Sequence, residues 1–270
     1  MVRGRRPLLV LGTLALLAAC TKFESVDELD AGGTPDAGAA DSVADGTTTT
    51  RYESAVLADK PVVFWRFRDQ TTTIADRGRA GIPMTASTDV RLSRPSLVNE
   101  SADHAIQMVV NDTLQTAPTP ADWFAGTKPY TIECWLRVEA TGLKASSIVM
   151  RGTPTSGIGL TIGSDGTVNA LRFEAAGKIV TGSPLTPVVS HHLVATYDGT
   201  LLALYVDGKA VDSKPASESL NAAERPITVG APQGASTTQL EATIDELAFY
   251  DSALSASAVI AHAKAGGLPL

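Results

Sequence analysis

The sequence has only two cysteines in 270 residues and no stripe of lysine and arginine. Its net charge of -7 and the missing stripe deprive it of the positive surface that a phosphate backbone requires, so we expect no nucleic-acid partner. No catalytic triad or phosphate-binding loop stands out either. These absences exclude several classes of function and leave a mildly acidic chain without a framework of disulfides.

The first residues have the pattern of a bacterial export signal. Three arginines precede the apolar run Leu8 to Ala19, which has the length of a signal-peptide core and is too short to span a bilayer. The run ends in LAAC, which resembles the lipobox of bacterial lipoproteins, where the cysteine is lipidated and becomes the mature N-terminus. We therefore predict a signal peptide at residues 1–19 and lipidation of Cys20. The alternative is an ordinary secretory signal cleaved after Ala19.

Residues 20–50 have the composition of a tether. Between positions 21 and 50 there are seven acidic residues against Lys22 alone, and Phe23 is the one aromatic residue. Such a segment cannot bury enough apolar surface to fold, and as a coil it spans on the order of 30 Å. We expect the lipid on Cys20 to be the only membrane contact. Under the enteric sorting rule, Thr21 after the cysteine favours the outer membrane of the bacterial cell envelope.

Residues 51–270 have the pattern of an all-β domain. Apolar runs of four to ten residues alternate with Gly, Pro, Asp and Asn, and helical periodicity is absent until the end of the chain. We predict a two-sheet antiparallel sandwich with a short C-terminal helix. The predicted strands are Val62–Phe67, His104–Val110, Tyr130–Val138, Ser147–Arg151, Gly159–Ile162, Val168–Phe173, His192–Tyr197, Leu201–Val206, Pro226–Gly230 and Ala242–Tyr250.

Alternation within the strands predicts which side chains face the core. Asp198-Gly199 and Asp207-Gly208 are hairpin turns, and both faces of the strand between them are apolar, so we expect this hairpin to be covered on both sides or to lie near the centre of its sheet. In the segment 130–138, one row faces the core, including Cys134, which we expect to be a small buried hydrophobe. We expect the opposite row, Thr131, Glu133, Trp135 and Arg137, to be partly open to solvent.

The segment LSASAVIAHAKAGG predicts the C-terminal helix. Ser255 is a suitable N-cap, and Leu254 with Val259 has the spacing of a hydrophobic staple. Gly266 ends the helix. We expect Val259, Ile260 and Ala263 to form the stripe that packs on the sandwich.

Four segments together resemble the laminin G-like, or concanavalin A-like, jelly rolls of bacterial secreted proteins. They are YESAVLADKPVVFWRF, YTIECWLRV, HHLVATYDGTLLALYVDGKAV and IDELAFYDSALSASAVIAHAKAG, and the resemblance covers Tyr52 to about Gly267. It implies two packed sheets with ligands bound on a concave face or at rim loops. Members bind glycans, calcium or other proteins, and some only space other modules. This chain departs from the pattern at Ser190, where a tryptophan usually stands, and at Cys134.

Related glucanases carry their catalytic carboxylates two residues apart on one strand, which suits a separation of about 5 to 5.5 Å. The nearest match here is Glu241 with Asp245, which a strand places about 13 Å apart. Asp245 and Glu246 are expected to face opposite ways. We therefore expect no catalytic residues.

The resemblance also suggests a structural calcium ion between the first and last strands. Calcium takes six to eight oxygen ligands. Asp245 on the final strand is the expected ligand, with Asp69 after the first strand as a second. The alternative is that Asp245 caps a turn or pairs with a cation. His191 and His192 are adjacent on a strand, so they point to opposite faces and cannot chelate one metal.

Glycan sites commonly combine an exposed aromatic residue with Asp, Asn or Arg. Asn111, Asp112, Trp123 and Arg151 are the candidates of this kind, and the alternative is that each is a turn or core residue. We predict a surface lipoprotein with a lectin-like module that binds a glycan or a surface protein. The alternatives are an envelope assembly domain with a protein partner and no small ligand, or a glycoside hydrolase.

Overall fold

A computed structural model describes residues 51–100, 103–139, 144–164, 169–217, 220–235 and 239–270. The predicted signal peptide, Cys20 and the predicted tether lie outside the described residues. No helix in the described ranges is long and apolar enough to cross a membrane.

The described residues form two helices and sixteen strands. The helices are α1 (Arg51–Ala58) and α2 (Ala256–Ala265). The strands are β1 (Val63–Trp65), β2 (Thr73–Ile74), β3 (Met84–Ala86), β4 (Arg91–Pro95), β5 (His104–Met108), β6 (Leu114–Thr116), β7 (Tyr130–Val138), β8 (Ser146–Arg151), β9 (Ile158–Ser164), β10 (Asn169–Ala175), β11 (Lys178–Thr181), β12 (Ser190–Tyr197), β13 (Leu201–Val206), β14 (Lys209–Pro215), β15 (Ile227–Val229) and β16 (Ala242–Tyr250).

These strands form two antiparallel sheets of eight strands each. Sheet A has the order β14-β13-β12-β7-β16-β5-β4, and β1 also pairs with β16. Sheet B has the order β11-β10-β9-β8-β15-β6-β3-β2. The first and last strands are neighbours, with Val63 opposite Phe249. The predicted two-sheet antiparallel jelly-roll sandwich is therefore confirmed, and so is its C-terminal helix.

The main core lies between the two sheets. Ile132, Cys134, Leu136 and Val138 point into it from β7, as predicted. The opposite row of β7 was predicted to be partly open to solvent, and this prediction is wrong. Thr131, Glu133 and Trp135 are also buried, and only Arg137 is partly exposed. The reason is a second apolar cluster on the outer face of sheet A, which includes residues of both helices.

Helix α1 was not predicted, and helix α2 was. In α2, the Ser255 side chain accepts a hydrogen bond from the Ala258 amide, and Gly266 is the C-cap. Val259 and Ala263 are buried, but Ile260 is 36% exposed, so its predicted place in the packed stripe is wrong. His262 takes that place, because residues 259, 262 and 263 have the spacing of one helix face.

The predicted hairpin turns are present at both ends of β13. Asp207 and Gly208 have φ of 51° and 75°, the positive values that a two-residue hairpin turn requires. The strand itself is buried at Leu202 through Leu204, whereas Leu201 is exposed. The prediction of a strand covered along both faces is therefore correct only for its middle, because β13 lies one strand from the sheet edge.

Candidate functional site

The two sheets differ in what covers their outer faces. The outer face of sheet A has α1 and α2 packed on it, whereas the outer face of sheet B carries an open groove of about 340 Å³. We call this the sheet B groove. It is lined by Ala145, Ser146, Ser147, Met150, Pro154, Thr161, Ile162, Glu174, Gly230, Pro232, Ala235 and Gln239.

Three strands bring the polar residues of the groove together. Ser147 on β8 lies directly opposite Thr161 on β9, and cross-strand partners share a face. Thr161 lies opposite Arg172 on β10, and Glu174, two residues further along β10, has the same orientation. The Thr161 hydroxyl donates a hydrogen bond of 2.8 Å to the Glu174 carboxylate. Residues that lie far apart in the sequence, Ser147, Thr161 and Glu174, thus meet on one surface.

Two polar atoms on this face are buried and lack a hydrogen-bond partner among the described residues. They are the Ser147 hydroxyl oxygen and Nε of Arg172. Ser147 and Glu174 are 6% and 9% exposed. Buried polar groups are normally hydrogen-bonded, so these two unpartnered atoms are unusual on a face that also carries the Glu174 carboxylate.

The groove does not have the composition of a glycosidase site. Glycoside hydrolysis ordinarily needs two carboxyl groups on either side of the scissile bond. Among the described lining residues, Glu174 is the only ionisable side chain. Met150, Pro154 and several small residues make up much of the rest. This arrangement can bind and orient a polar ligand by hydrogen bonds and apolar contact.

The four residues predicted to bind a glycan do not form one site. Asn111 and Asp112 lie in the turn between β5 and β6, where Asn111 has φ of 74° and Asp112 accepts a hydrogen bond of 2.8 Å from the Val109 amide. Asp112 is buried and holds this turn. Trp123, in the segment that joins β6 to β7, is partly exposed and lines a different pocket.

Arg151 is a buried residue that holds the loop of Trp123. Its Nε donates to the Thr119 hydroxyl at 2.9 Å, and its Nη2 donates to the Pro120 and Ala223 carbonyls at 2.8 and 3.1 Å. Burial, with Arg225 nearby, lowers the pKa of Arg151 to about 10. The guanidinium is thus used within the protein and is not open to a ligand.

The two predicted calcium ligands also lie apart. Asp245 is fully buried and accepts hydrogen bonds from the Ser96 hydroxyl at 2.8 Å and the Leu97 amide at 2.9 Å, so it caps the turn after β4, as the alternative held. Burial and nearby Asp103 raise the pKa of Asp245 well above its usual range. Asp69 accepts from the Ala75 amide instead. Within the described residues, no group of possible metal ligands includes both.

A different acidic cluster lies near Asp245. Carboxylate oxygens of Glu100, Asp103 and Glu246 lie within 4.8 Å of one another. The buried guanidinium of Arg66 already bonds all three and also bonds Glu53, at 2.5 to 2.9 Å. Because a cation of the protein itself occupies this cluster, its residues do not fit the expected calcium ion.

Asp245 and Glu246 do not follow the alternation predicted for them. The pairing of β16 with β7 shifts register between Asp245 and Ala248, and Glu246 has φ of 53°. This bulge interrupts the alternation, so that both carboxyl groups approach Arg66 and Asp103. Burial, with Asp245 nearby, raises the pKa of Glu246 well above its usual range.

Glu133 is the centre of a buried network that the sequence did not predict. It accepts hydrogen bonds from the Tyr52 and Tyr250 hydroxyls at 2.9 and 2.6 Å, and it bonds His192 at 2.8 Å and His262 at 3.0 Å. Burial opposes ionisation, but the two histidines hold the pKa of Glu133 well below its usual range. The signal for this network was a glutamate amid apolar residues of a long strand.

The predicted opposite orientation of the paired histidines is observed. His191 bonds Asp207 at 2.8 Å, whereas His192 points to Glu133 on the helix-covered face. Burial alone would lower the pKa of His262, but Glu133 and Asp59 raise it to about 9. This network joins α1, α2 and sheet A, so its role is structural.

Several solved binding domains have a similar fold. The botulinum neurotoxin serotype D binding domain has a TM-score of 0.59 and 11% identity, over 78% of this chain and 52% of that chain. The botulinum neurotoxin DC binding domain, solved with SialylT, has a TM-score of 0.58 and 10% identity, over 77% of this chain and 52% of that chain. Domain 4 of an extracellular GH43 arabinanase from Geobacillus stearothermophilus was solved with arabinotriose. It has a TM-score of 0.55 and 15% identity, over 76% of this chain and 98% of that chain.

At these identities the likeness shows the fold alone, and the chain spans about half the length of the neurotoxin binding domains. Among curated protein sequences, none matches. The family described as the concanavalin A-like lectin/glucanases superfamily matches residues 110–260, more than half of the sequence. The chain therefore belongs to the concanavalin A-like lectin/glucanases superfamily.

Proposed function

We propose that this protein is a carbohydrate-binding module and that the sheet B groove holds the saccharide. The observation that carries the proposal is the open groove on the outer face of sheet B, whose polar lining residues Ser147, Thr161 and Glu174 come from three neighbouring strands. A sugar hydroxyl both donates and accepts, so it can donate to the Glu174 carboxylate and accept from a hydroxyl of the groove lining.

The shape of the groove supports a short saccharide. Its volume of about 340 Å³ is near the lower end of ligand pockets, which run from about 300 to 1,000 Å³. Met150 and Pro154 offer apolar contact to the C–H groups of a sugar ring, while Glu174 favours a neutral ligand over an anionic one. The ligands of the two related domains, arabinotriose and SialylT, belong to the same chemical class.

Binding without catalysis is part of the proposal. The described groove residues supply one carboxylate, which serves as a hydrogen-bond acceptor and has no second carboxyl group to act with it. The alternative of a protein-binding assembly domain has less support. The two most exposed large apolar residues in the described part are Val188 and Val189, and a pair of valines is far smaller than a specific protein interface.

The proposal includes display on the bacterial envelope through a lipid on Cys20. The LAAC sequence supports this anchor. Helix α1 packs on the outer face of sheet A, whereas the groove is on the outer face of sheet B. Cys20→Ser should move the protein from the membrane fraction to the soluble fraction and remove acyl chains from its mass spectrum. An unchanged membrane fraction would exclude the anchor without affecting the groove.

The experiment for the groove is a glycan array probed with the full chain, with and without calcium. We expect retention of a neutral saccharide. Glu174→Gln keeps the acceptor for Thr161 but removes the charge, and Ser147→Ala removes the hydroxyl. A hydrogen bond to a charged group contributes about 1.5–3 kcal/mol, so Glu174→Gln should weaken binding about ten- to a hundredfold.

Glu224→Gln is the matched control, because Glu224 is exposed and does not line the groove. It should bind like the wild type. If no saccharide is retained, or if Glu174→Gln and Ser147→Ala bind as well as Glu224→Gln, the groove is not a glycan site.

A further inference from the structure

A second pocket lies at one end of sheet A. It has a volume of about 320 Å³ and shares no lining residue with the sheet B groove. It lies where β1 and β7 begin and β16 ends. We call it the rim pocket, and its lining residues are Val62, Arg79, Asp122, Trp123, Phe124, Lys128, Pro129 and Asp251.

The rim pocket contains the one tryptophan that is open to solvent. The sequence has three tryptophans, and Trp65 and Trp135 are buried at 0% and 1% exposure. Trp123 is partly exposed and packs edge-on against Phe124, with 6.0 Å between the ring centroids. An indole in a polar pocket offers a flat apolar surface to the C–H face of a sugar ring.

Charged side chains of both signs surround this indole. Arg79 pairs with Asp251, and Lys128 lies 3.7 Å from the Asp122 carboxylate. Their side chains are 49%, 57%, 59% and 77% exposed in that order, so they remain available to a ligand. The two pairs cancel in charge. They supply donors and acceptors for hydroxyl groups without favouring an anion or a cation.

Contacts of buried Phe124 and Arg151 hold the loop that contains Trp123 in place. Phe124 has φ of 59° and is buried against Tyr130 and Phe249, each with 5.9 Å between ring centroids. Arg151 bonds the carbonyl of Pro120 and lies 5.8 Å from the centre of the Phe124 ring. A site held in its binding conformation loses little entropy when a ligand binds.

We propose that the rim pocket is a second saccharide site, which stacks a neutral pyranose ring on Trp123. Asp122 and Asp251 accept from the ring hydroxyls, and Arg79 and Lys128 donate to them. The choice of a sugar as ligand rests on the proposed function, whereas the place of the site and its lack of a net charge come from this pocket alone. Arg151 is a positioning residue, since it holds the loop and touches no ligand.

Tryptophan fluorescence tests the rim pocket separately, because the described groove lining contains no aromatic residue. The full chain is titrated with methyl pyranosides of glucose, galactose and mannose, and with methyl glucuronide as the anionic counterpart. We expect at least one neutral pyranoside to change the emission and to protect Trp123 from acrylamide quenching. The glucuronide should bind no more tightly than the neutral pyranosides, because the two ion pairs of the pocket cancel in charge.

Variants show which pocket produces the fluorescence change. Calorimetry should show about a tenfold loss of pyranoside affinity for Trp123→Ala, with a smaller loss for Trp123→Phe. If Trp123→Ala fails to fold, the exposed Lys128→Gln and Asp251→Asn serve instead, with Lys209→Gln as the matched control. Glu174→Gln should leave the fluorescence response unchanged.

The outcomes separate the two proposals. An array that retains a saccharide, without any fluorescence change at saturation, overturns the rim site and leaves the groove standing. A fluorescence change that Glu174→Gln abolishes also overturns it, because the signal then comes from the groove. A fluorescence response with an array that is insensitive to Glu174→Gln supports the rim site and overturns the groove.

Discussion

At the scale of single residues, the two buried charge networks account for how sheet A and its helices are joined. Glu133 has no exposed surface, yet its pKa is lowered, because it bonds His262 and His192. An isolated buried carboxylate would be strongly destabilising. Each network is therefore stable only when all its partners are in place.

His262 should make stability depend on pH. Its pKa is raised to about 9 from 6.5, so its contribution is complete below about pH 6.5 and is lost as the pH rises through about 9. The shift corresponds to about 3 kcal/mol. Urea unfolding should show that the stability difference between wild type and His262→Gln shrinks across this window. Asp245 and Glu246 also have raised pKa values and therefore add to the pH dependence of stability. Their contribution is common to both proteins, so it cancels when the two unfolding free energies are subtracted.

The control is His191→Gln, because His191 is partly exposed and bonds only outside the Glu133 network. The difference in unfolding free energy between wild type and His191→Gln should not show this decrease between pH 6.5 and about 9. Parallel profiles for wild type and His262→Gln would show that Glu133 does not hold the His262 proton.

Arg66 should be required for stability because its buried guanidinium bonds Glu246, Asp103, Glu100 and Glu53. Arg66→Met leaves Glu246 without this cation, whereas Asp103 keeps its bond to Arg68, and breaking a buried ion pair costs about 3–5 kcal/mol. Urea unfolding measures the loss, with the exposed Arg77→Met as control. Since the guanidinium occupies the cluster, we expect calcium or EDTA to leave the wild-type Tm unchanged. A loss below about 1 kcal/mol would contradict the role given to Arg66.

At the scale of elements, the sequence predicted the long strands and missed the elements that lack an apolar pattern. Tyr130–Val138 and Ala242–Tyr250 were predicted with the bounds that β7 and β16 have. Strand β14 is an edge strand whose residues are almost all exposed, and β4 is an exposed edge strand that ends in Pro95. Edge strands are often polar and short, so hydrophobic alternation cannot reveal them.

Helix α1 was missed for a different reason. It has eight residues, too few for a helix that is stable in isolation, so the propensity of the sequence carries little signal. Its stability comes from tertiary contacts, such as the 6.1 Å edge-on packing of Tyr52 against Trp135. Missing α1 also led to the wrong prediction that the Trp135 row of β7 is open.

The attachment of α1 is testable at Tyr52. Tyr52→Phe keeps the ring contact with Trp135 but removes the hydrogen bond to buried Glu133, and such a loss costs about 1–3 kcal/mol. We expect lower stability in urea and faster amide exchange in residues 51–58. Tyr205→Phe on β13 is the control, because Tyr205 is partly exposed. Unchanged exchange in α1 would mean that the Glu133 network does not hold this helix.

At the scale of the whole molecule, covering one sheet leaves the other free for a ligand. The sequence and its family resemblance predicted the sandwich, and the alternatives for Asp245, Asp112 and Arg151 describe the roles that these residues have. The groove was not predicted. Ser147, Thr161 and Glu174 come from three strands and meet only through strand register, which a single sequence does not reveal.

The central claim is that the sheet B groove binds a saccharide, and an NMR titration of the ¹⁵N-labelled protein tests it most directly. The probes are arabinotriose and each saccharide retained on the array. We predict that the largest amide shifts occur at Ser147, Thr161 and Glu174 and that Glu174→Gln moves the midpoint of the titration to a saccharide concentration about ten- to a hundredfold higher. Shifts confined to the helix-covered face of sheet A, or saturating binding with no shift in the groove, would contradict the claim.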